Sequence, residues 1–407
     1  MSKYVPIGEI CYVYDGPHAT PIKTKSGPIY LGIDAVTGGG RLNPAEFSYL
    51  SECDYKIWTK RVTPQCDDIV FSYEATLGRY AMIPEGFYGC LGRRLAIVRA
   101  KDSRVNPRWL YYYFLSPEWS AFIANHTVKG STVNRISVED YPNYPIPLPE
   151  RKTQDAVVKV LSAIDQKIDN NTNLCVELET MAKTLYDYWF TQFDFPDENG
   201  KPYRSSGGEM VWNDQLKREI PKGWNVGQLS DIANIAMGQS PAGETYNENG
   251  NGMIFYQGCT DFGTRFPVPR VYTTAPTRFA KSGDILMSVR APVGTLNVAI
   301  EDCSIGRGLA ALNSKIGSQL YLWYTLAGFK QLFNVLDGNG TTFGSITKDT
   351  LYETKVVIPN PVLVKSFEEI VQPIEQKIRI IEEENRELTK LRDWLLPMLM
   401  NGQATVE

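Results

Sequence analysis

The chain has little of what most catalytic sites are built from. Its 407 residues include two histidines, His18 and His126, so imidazole bases and histidine metal sites have almost no material; both read as polar surface residues. The seven cysteines, at 11, 53, 66, 90, 175, 259 and 303, are odd in number and form no Cys-x-x-Cys pair. That argues against a disulfide framework and a zinc site and suits a reducing cytoplasm. No apolar run reaches bilayer-spanning length, and the opening MSKYVPIGEICYVYDG lacks the basic and apolar regions of a signal peptide. Nucleophile-elbow, zincin and dinucleotide-binding glycine motifs are absent, as is the Asn/Asp-Pro-Pro-aromatic motif with which adenine methyltransferases grip a flipped base.

What is present is an ordinary globular composition, 43% hydrophobic and 22% charged, on a chain long enough for two or three domains. The net charge of −4 looks unsuited to nucleic acid until it is divided. Residues 1–150 carry 16 Lys+Arg against 15 Asp+Glu, and residues 211–360 carry 13 against 12, so each is +1. Residues 151–210 (7 against 10) and 361–407 (6 against 9) are −3 apiece. The acid is segregated, leaving two near-neutral segments free to hold local basic patches.

Those segments are two copies of one plan. DIVFSYEATLG (68–78) matches DILMSVRAPVG (284–294), GRRLA (92–96) matches GRGLA (306–310), and GSTVNRIS (130–137) faces GTTFGSIT (340–347). IPLP (146–149) answers VIP (357–359), and IDQKI (164–168) answers IEQKI (374–378). The offset drifts from 216 to 210 through ordered landmarks, the mark of a duplication with loop insertions. Short β-branched or aromatic runs at 69–73, 80–83 and 95–99, with partners at 285–289, 297–300 and 309–312, predict strands. The stretches 107–125 and 318–335 predict helices with aromatic stripes that face a core.

After each copy the period changes. Leu161, Ile164, Ile168, Asn171, Cys175, Leu178, Ala182, Leu185 and Trp189 mark a heptad seam. Val371, Ile374, Ile378, Ile381, Asn385, Leu388, Arg392, Leu395 and Leu399 mark a second. Each seam holds one central Asn, a residue that fixes register at some cost in stability. Two such helices in one chain pair most simply with each other, and 161–189 makes a rod of roughly 40 Å. The predicted domains are 1–150, the helical spacer and linker 151–210, 211–360, and the helical spacer 361–407.

Three features invite a catalytic reading and fail it. Gly38–Arg41 has no Lys-Ser/Thr after it and reads as a turn. Glu353 and Lys355, with Asp349 near, have the look of a metal-nuclease group, but the first copy has no equivalent and a strand edge accounts for them. Glu375 and Lys377 read as a solvated helix face. Binding residues are easier to find. The loops at 129–135 and 338–345 offer Lys129, Ser131, Thr132, Asn134 and Arg135, and Thr341, Thr342 and Ser345, to phosphates and base edges. Arg79, Arg93 and Arg94 follow strands in the first copy, as Arg290 and Arg307 do in the second, and arginine suits bidentate contacts to guanine or phosphate. Lys23 and Lys25 add phosphate contacts beside a Pro/Gly-rich loop. No residue is assigned a catalytic or metal-binding role.

WFTQFDFPDENGKPYRSSGGEM (189–210), IPKGW (220–224) and WLLPMLMNGQ (394–403), with the order globular unit, helix, globular unit, helix, resemble the specificity subunits of type I restriction-modification enzymes over essentially the whole chain. The resemblance implies an α+β fold: two mixed α/β target-recognition domains, separated and followed by long helices that pair as an antiparallel coiled coil, with an internal pseudo-two-fold repeat. It implies a noncatalytic, DNA-binding subunit in the bacterial or archaeal cytoplasm that reads a split site, and the unlike loops Thr132–Arg135 and Thr342–Ser345 predict that the site is asymmetric. Its partners would be double-stranded DNA, two modification subunits that use S-adenosylmethionine to methylate adenine, and restriction subunits that use ATP and Mg²⁺; the chain itself would bind no cofactor. A rod of about 40 Å fits half-sites a little over one DNA turn of about 34–36 Å apart. Two other classes compete. A stand-alone nuclease or methylase would modify or cut DNA unaided, and a protein-binding scaffold would show no salt-dependent affinity for duplex DNA.

Overall fold

The computed structural model describes residues 3–129, 134–338 and 345–405. It divides into two units, Met1–Ile168 with Glu387–Glu407, and Asp169–Arg386.

In the first unit, four antiparallel strands lie in the order Cys11–Asp15, Leu95–Ala100, Ile69–Ser72, Tyr80–Met82. All four residues of Ile69–Ser72 are buried, because both faces of the sheet are covered. Ile69 and Phe71 face Trp109, Phe114 and Trp119 of the helices, while Val70 faces Leu31, Val36 and Leu91. A smaller sheet orders Ser48–Tyr49, Thr24–Leu31 and Gly89–Leu91, the last two parallel. The Pro-rich strand Pro145–Leu148 returns to pair with Lys3–Pro6, Val5 opposite Ile146. A two-stranded ribbon tolerates prolines that a central strand would not. The helix expected over 107–125 is two helices, Pro107–Phe114 and Pro117–Asn125. Ser116 accepts the Trp119 amide and Pro117 occupies the first helical position, so a new helix starts there.

The second unit repeats the order: Ala233–Met237, Leu309–Ser314, Ile285–Ser288, Leu296–Val298, all antiparallel. Asn225–Gln228 pairs with Lys355–Ile358 as the outer ribbon. Its parallel pair is Met253–Tyr256 with Cys303–Ile305. One helix, Gln319–Gly338, stands where the first copy has two. The hairpin Met210–Asn213 with Arg218–Pro221 has no counterpart among the described residues of the first copy.

The long helices run Arg151–Tyr186 and Pro361–Met400, 36 and 40 residues, or about 54 and 60 Å. The first starts ten residues before the seam expected from Leu161, because Gln154 and Val157 are already buried. Past Tyr186 it becomes a short π-helical turn, Asp187–Thr191, and residues 192–210 hold no helix, so the 151–210 segment is helix only in its first two-thirds. Within the second unit the helices run antiparallel. Asn171 Nδ2 donates to Asn385 Oδ1 at 2.9 Å, and Cys175 packs with Ile378 and Ile381. The two seam asparagines thus meet, and Asn171 Nδ2 also donates to Glu384 Oε2 at 2.8 Å. Within the first unit Leu161 shares a core with Leu396 and Leu399, and Arg392, which stands in the seam, reaches Asp165 at 3.2 Å.

Candidate nucleic-acid interface

Each copy sends its central strand into the same turn. Ser72 Oγ donates to the Thr76 carbonyl and accepts from the Arg79 amide at 3.2 Å, and Gly78 N donates to Ser72 O at 3.1 Å. In the second copy Ser288 Oγ donates to Pro292 O at 2.6 Å and accepts from Thr295 N at 2.8 Å, and Gly294 N donates to Ser288 O at 2.9 Å. Both glycines take φ values, +70° and +80°, that a side chain would strain. The Ser-x₅-Gly spacing shared by the copies is therefore the signature of this turn.

Two further segments close on it. Tyr73 N donates to Arg94 O at 3.1 Å and Ile136 N to Tyr73 O at 2.8 Å; Val289 N donates to Gly308 O at 2.9 Å and Ile346 N to Val289 O at 2.8 Å. Glu74 pairs with Arg135 in a single β-bridge, as Arg290 does with Ser345. Stretches some 20 and 60 residues apart thus meet at one place in each copy. Among the candidates, Arg93, Lys129, Asn134 and Arg135 are exposed in the first copy, and Arg290, Arg307 and Ser345 in the second. The side chains of Arg93, Lys129, Arg135, Arg290 and Arg307 have no hydrogen-bond or ion-pair partner among the described residues.

Other candidates are more committed. Arg94, at φ +71°, pairs with Glu74 at 3.3 Å, and Arg79 Nη1 donates to Val36 O at 3.3 Å. Lys23 and Lys25 are exposed at the outer end of Thr24–Leu31, a strand whose inner end supports the Arg93 amide through Tyr30 Oη. Among the described residues no hydrogen bond or ion pair joins the two lysines to the turn. Ser131, Thr132, Thr341 and Thr342 lie outside the described residues. Motif reading missed Glu74, and it missed Ser240 and Gln257. Those two share a groove of about 500 Å³ with Arg307, where Ser240 Oγ accepts from Gln257 Nε2 at 2.9 Å and from Arg307 N at 3.2 Å. Nothing in the sequence marks them, because only the fold makes them neighbours.

The catalytic alternatives find little support. Gly38–Arg41 is a turn, with Thr37 N on Arg41 O at 2.9 Å and Gly40 at φ +83°. Lys355 opens a ribbon strand opposite Gln228. Among the described residues no three His, Cys, Asp or Glu side chains gather as a metal site. Burial pushes the thiols of Cys11, Cys90 and Cys303 up to about 12 and that of Cys175 up to about 11, which keeps them protonated. His18 sits beside Asp15 at 2.8 Å, and His126 stacks on Phe122. No helix among the described residues is long and apolar enough to cross a membrane.

The family model described as the type I restriction modification DNA specificity domain matches the chain twice, over residues 20–180 and 221–390. The chain belongs to the type I restriction-modification specificity family. Each match holds one copy of the turn, so this is a specificity subunit with two DNA-specificity domains, and such subunits are noncatalytic. A putative type I restriction enzyme specificity subunit of Methanocaldococcus jannaschii, MjaX, is 31% identical over 352 residues, covering 84% of this chain and 79% of its own. The MjaIX specificity subunit of the same organism is 26% identical over 385 residues, covering 89% and 84%. Among solved structures, the S subunit of a type I restriction-modification system from M. genitalium covers 98% of this chain and 95% of its own at 17% identity, with a TM-score of 0.55, a likeness of fold. Specificity domains on an α+β scaffold with paired helices are what the family resemblance implied, and the duplication and the heptads predicted the repeat and the helix pairing.

Proposed function

We propose that the two domains each read one half of a split, asymmetric DNA site, with the turns at 72–79 and 288–295 and the segments closing on them as the reading surfaces. On this reading the chain docks two modification subunits and the restriction subunits, and S-adenosylmethionine, ATP and Mg²⁺ belong to those partners. The observation that carries it is one backbone turn, built twice by the same hydrogen bonds, that presents Glu74, Arg94 and Arg135 in one copy and Arg290, Gly308 and Ser345 in the other. A shared scaffold with unlike side chains suits two unlike half-sites.

Methylome sequencing of a host carrying the chain with its modification subunits tests this directly. The expected result is one two-part adenine-methylated motif with unlike halves and a fixed gap. A contiguous motif, or two identical halves, would overturn it. Lengthening both long helices by one turn, about 5.4 Å, is expected to widen the gap by one or two base pairs at about 3.4 Å each. The purified chain is expected to bind duplex DNA with an affinity that falls steeply with salt, and to modify none of it.

A further inference from the structure

Arg265 is 1% exposed, and the role assigned to the domains does not use it. Its Nε donates to Glu375 Oε1 at 2.7 Å and its Nη2 to Glu375 Oε2, while Nη1 lies 3.7 Å from Glu179 Oε1. The guanidinium lies over the Trp323 ring, 3.5 Å from its centre. A buried, bidentate, stacked arginine fixes direction as well as distance, which a lysine ammonium cannot do. Glu179 and Glu375 stand on the two long helices, and Arg265 stands on a loop of the specificity domain. That loop is tied into the sheet: Arg265 O accepts from Val298 N at 2.9 Å, and Val298 pairs with Ile285 on the strand that ends in Ser288 and the turn. Ion pair, loop, strand pairing and main chain therefore connect the helix carboxylate to the candidate reading turn.

The first copy ties the equivalent loop to the equivalent helix position by a different set of contacts. A one-turn 3₁₀ helix, Ile33–Ala35, precedes a loop closed by the Val36–Leu42 bridge, as Cys259–Asp261 precedes one closed by Phe262–Pro267. That loop carries Arg41, whose Nη2 lies 3.9 Å from Asp165, and Asp165 is the repeat equivalent of Glu375. Tyr112 Oη donates to Asp165 at 2.6 Å, Tyr111 Oη holds Gly40 O at 2.7 Å, and Arg79 at the end of the turn grips Val36 O. The same loop and the same helix position recur with the same signs of charge, although Arg41 is more exposed than Arg265 and Asp165 also holds Arg392 at 3.2 Å.

We infer that Arg265 with Glu375, and Arg41 with Asp165, are positioning pairs that lock each reading turn to the helices and so hold the gap of the split site to one length. The inference rests on the split-site reading above. Its test is the methylome of a host carrying the full chain and its modification subunits, with Arg265→Met in place of the native residue. Methionine keeps an apolar stem on Trp323 and removes the ion pair. The same half-site bases are expected, with sites whose gap is one base pair shorter or longer methylated about tenfold more often than in the native host, the factor that about 1.4 kcal/mol of lost preference gives. A residue that only stabilises the fold would lower methylation at the native gap without adding new gaps, and that pattern overturns the inference. Altered half-site bases overturn it too, since Arg265 would then belong to the readout. If Arg265→Met does not accumulate, Arg265→Lys is judged by the same criterion, and loss of all methylation with lysine also counts against it. Failure of the split-site reading is seen separately, in the native host, as the absence of a two-part motif.

Discussion

The strands that end at Ser72 and Ser288 enter their turns through the same three hydrogen bonds, yet two residues on stands Glu74 in one copy and Arg290 in the other. The acid ties down Arg94, while the second copy has glycine at the position equivalent to Arg94 and leaves Arg290 exposed. The turn is held by serine hydroxyls, glycines and main chain, none of which constrains the neighbouring side chains. Recognition chemistry can therefore change without disturbing the fold. The cores differ as well. In the first copy Phe71, Tyr80, Phe114, Trp119 and Tyr141 pack ring against ring, some stacked and some edge-on. In the second, the strand positions are Ile285, Met287, Ala310 and Leu312, and aromatic rings gather instead around Tyr186, Phe190, Tyr321 and Phe367 at the helices.

The largest effect should come from breaking the first copy's core. Trp119 is fully buried, and its indole N–H donates to Tyr80 Oη at 2.7 Å. Trp119→Ala is expected to cost about 3–5 kcal/mol in urea denaturation, cavity and lost hydrogen bond together. A loss below about 1 kcal/mol would mean that the aromatic cluster does not hold this unit together.

Next in size are the exposed arginines of the second copy. Arg290→Ala and Arg307→Ala are each expected to weaken binding to the full site by about 1–3 kcal/mol, read by titration at fixed salt. The loss should vanish on a duplex whose second half-site is scrambled. An equal loss on both duplexes would make these arginines contacts to the backbone alone.

Both results bear on how much the sequence disclosed. The duplication was legible because Ser72, Gly78, Ser288 and Gly294 are demanded by backbone geometry, which leaves a fixed spacing in the chain. The seam asparagines were legible for a similar reason, since a heptad makes any polar residue in it conspicuous. The copies also match earlier than the sequence reveals: Cys11–Asp15 corresponds to Ala233–Met237 at an offset of 222, where only strand position is retained. Glu74 was invisible because its meaning lies in Arg94, twenty residues away. Arg265 was invisible because its partners are more than 50 residues distant on two helices, and no local pattern announces such a contact. Periodic and main-chain demands leave traces in sequence; a single long-range side-chain pair does not.

The helices offer a third comparison. In the first unit the polar seam contact is the ion pair Asp165–Arg392; in the second it is the amide pair Asn171–Asn385. Asn171→Leu is expected to cost about 1–2 kcal/mol in thermal unfolding, because the Asn385 and Glu384 side chains both lose the Asn171 amide. Replacing both asparagines by leucine should recover most of that stability while weakening the preference for one register. Equal destabilisation by the single and double variants would rule out the pairing as the cause.

The smallest expected effect is also the most discriminating for the two reading turns. Glu74 and Arg94 are both about one-third exposed, so their ion pair is screened and contributes little to folding. Its consequence at a DNA surface would be larger, since an acid near the phosphates repels them and occupies a cation. Glu74→Gln keeps the shape, removes the charge and frees Arg94. Binding is expected to tighten by a few-fold, less than about 1 kcal/mol, and the slope of log K against log salt to steepen by about 0.9 if Arg94 gains one phosphate. The inverse change, Arg290→Glu, imposes the first copy's charge on the second and should weaken binding. Were Glu74→Gln instead to weaken binding tenfold and relax the preference for one base pair, Glu74 itself would be accepting a hydrogen bond from a cytosine amino group. The two copies would then differ in which charge does the reading, and not in how much of it is free.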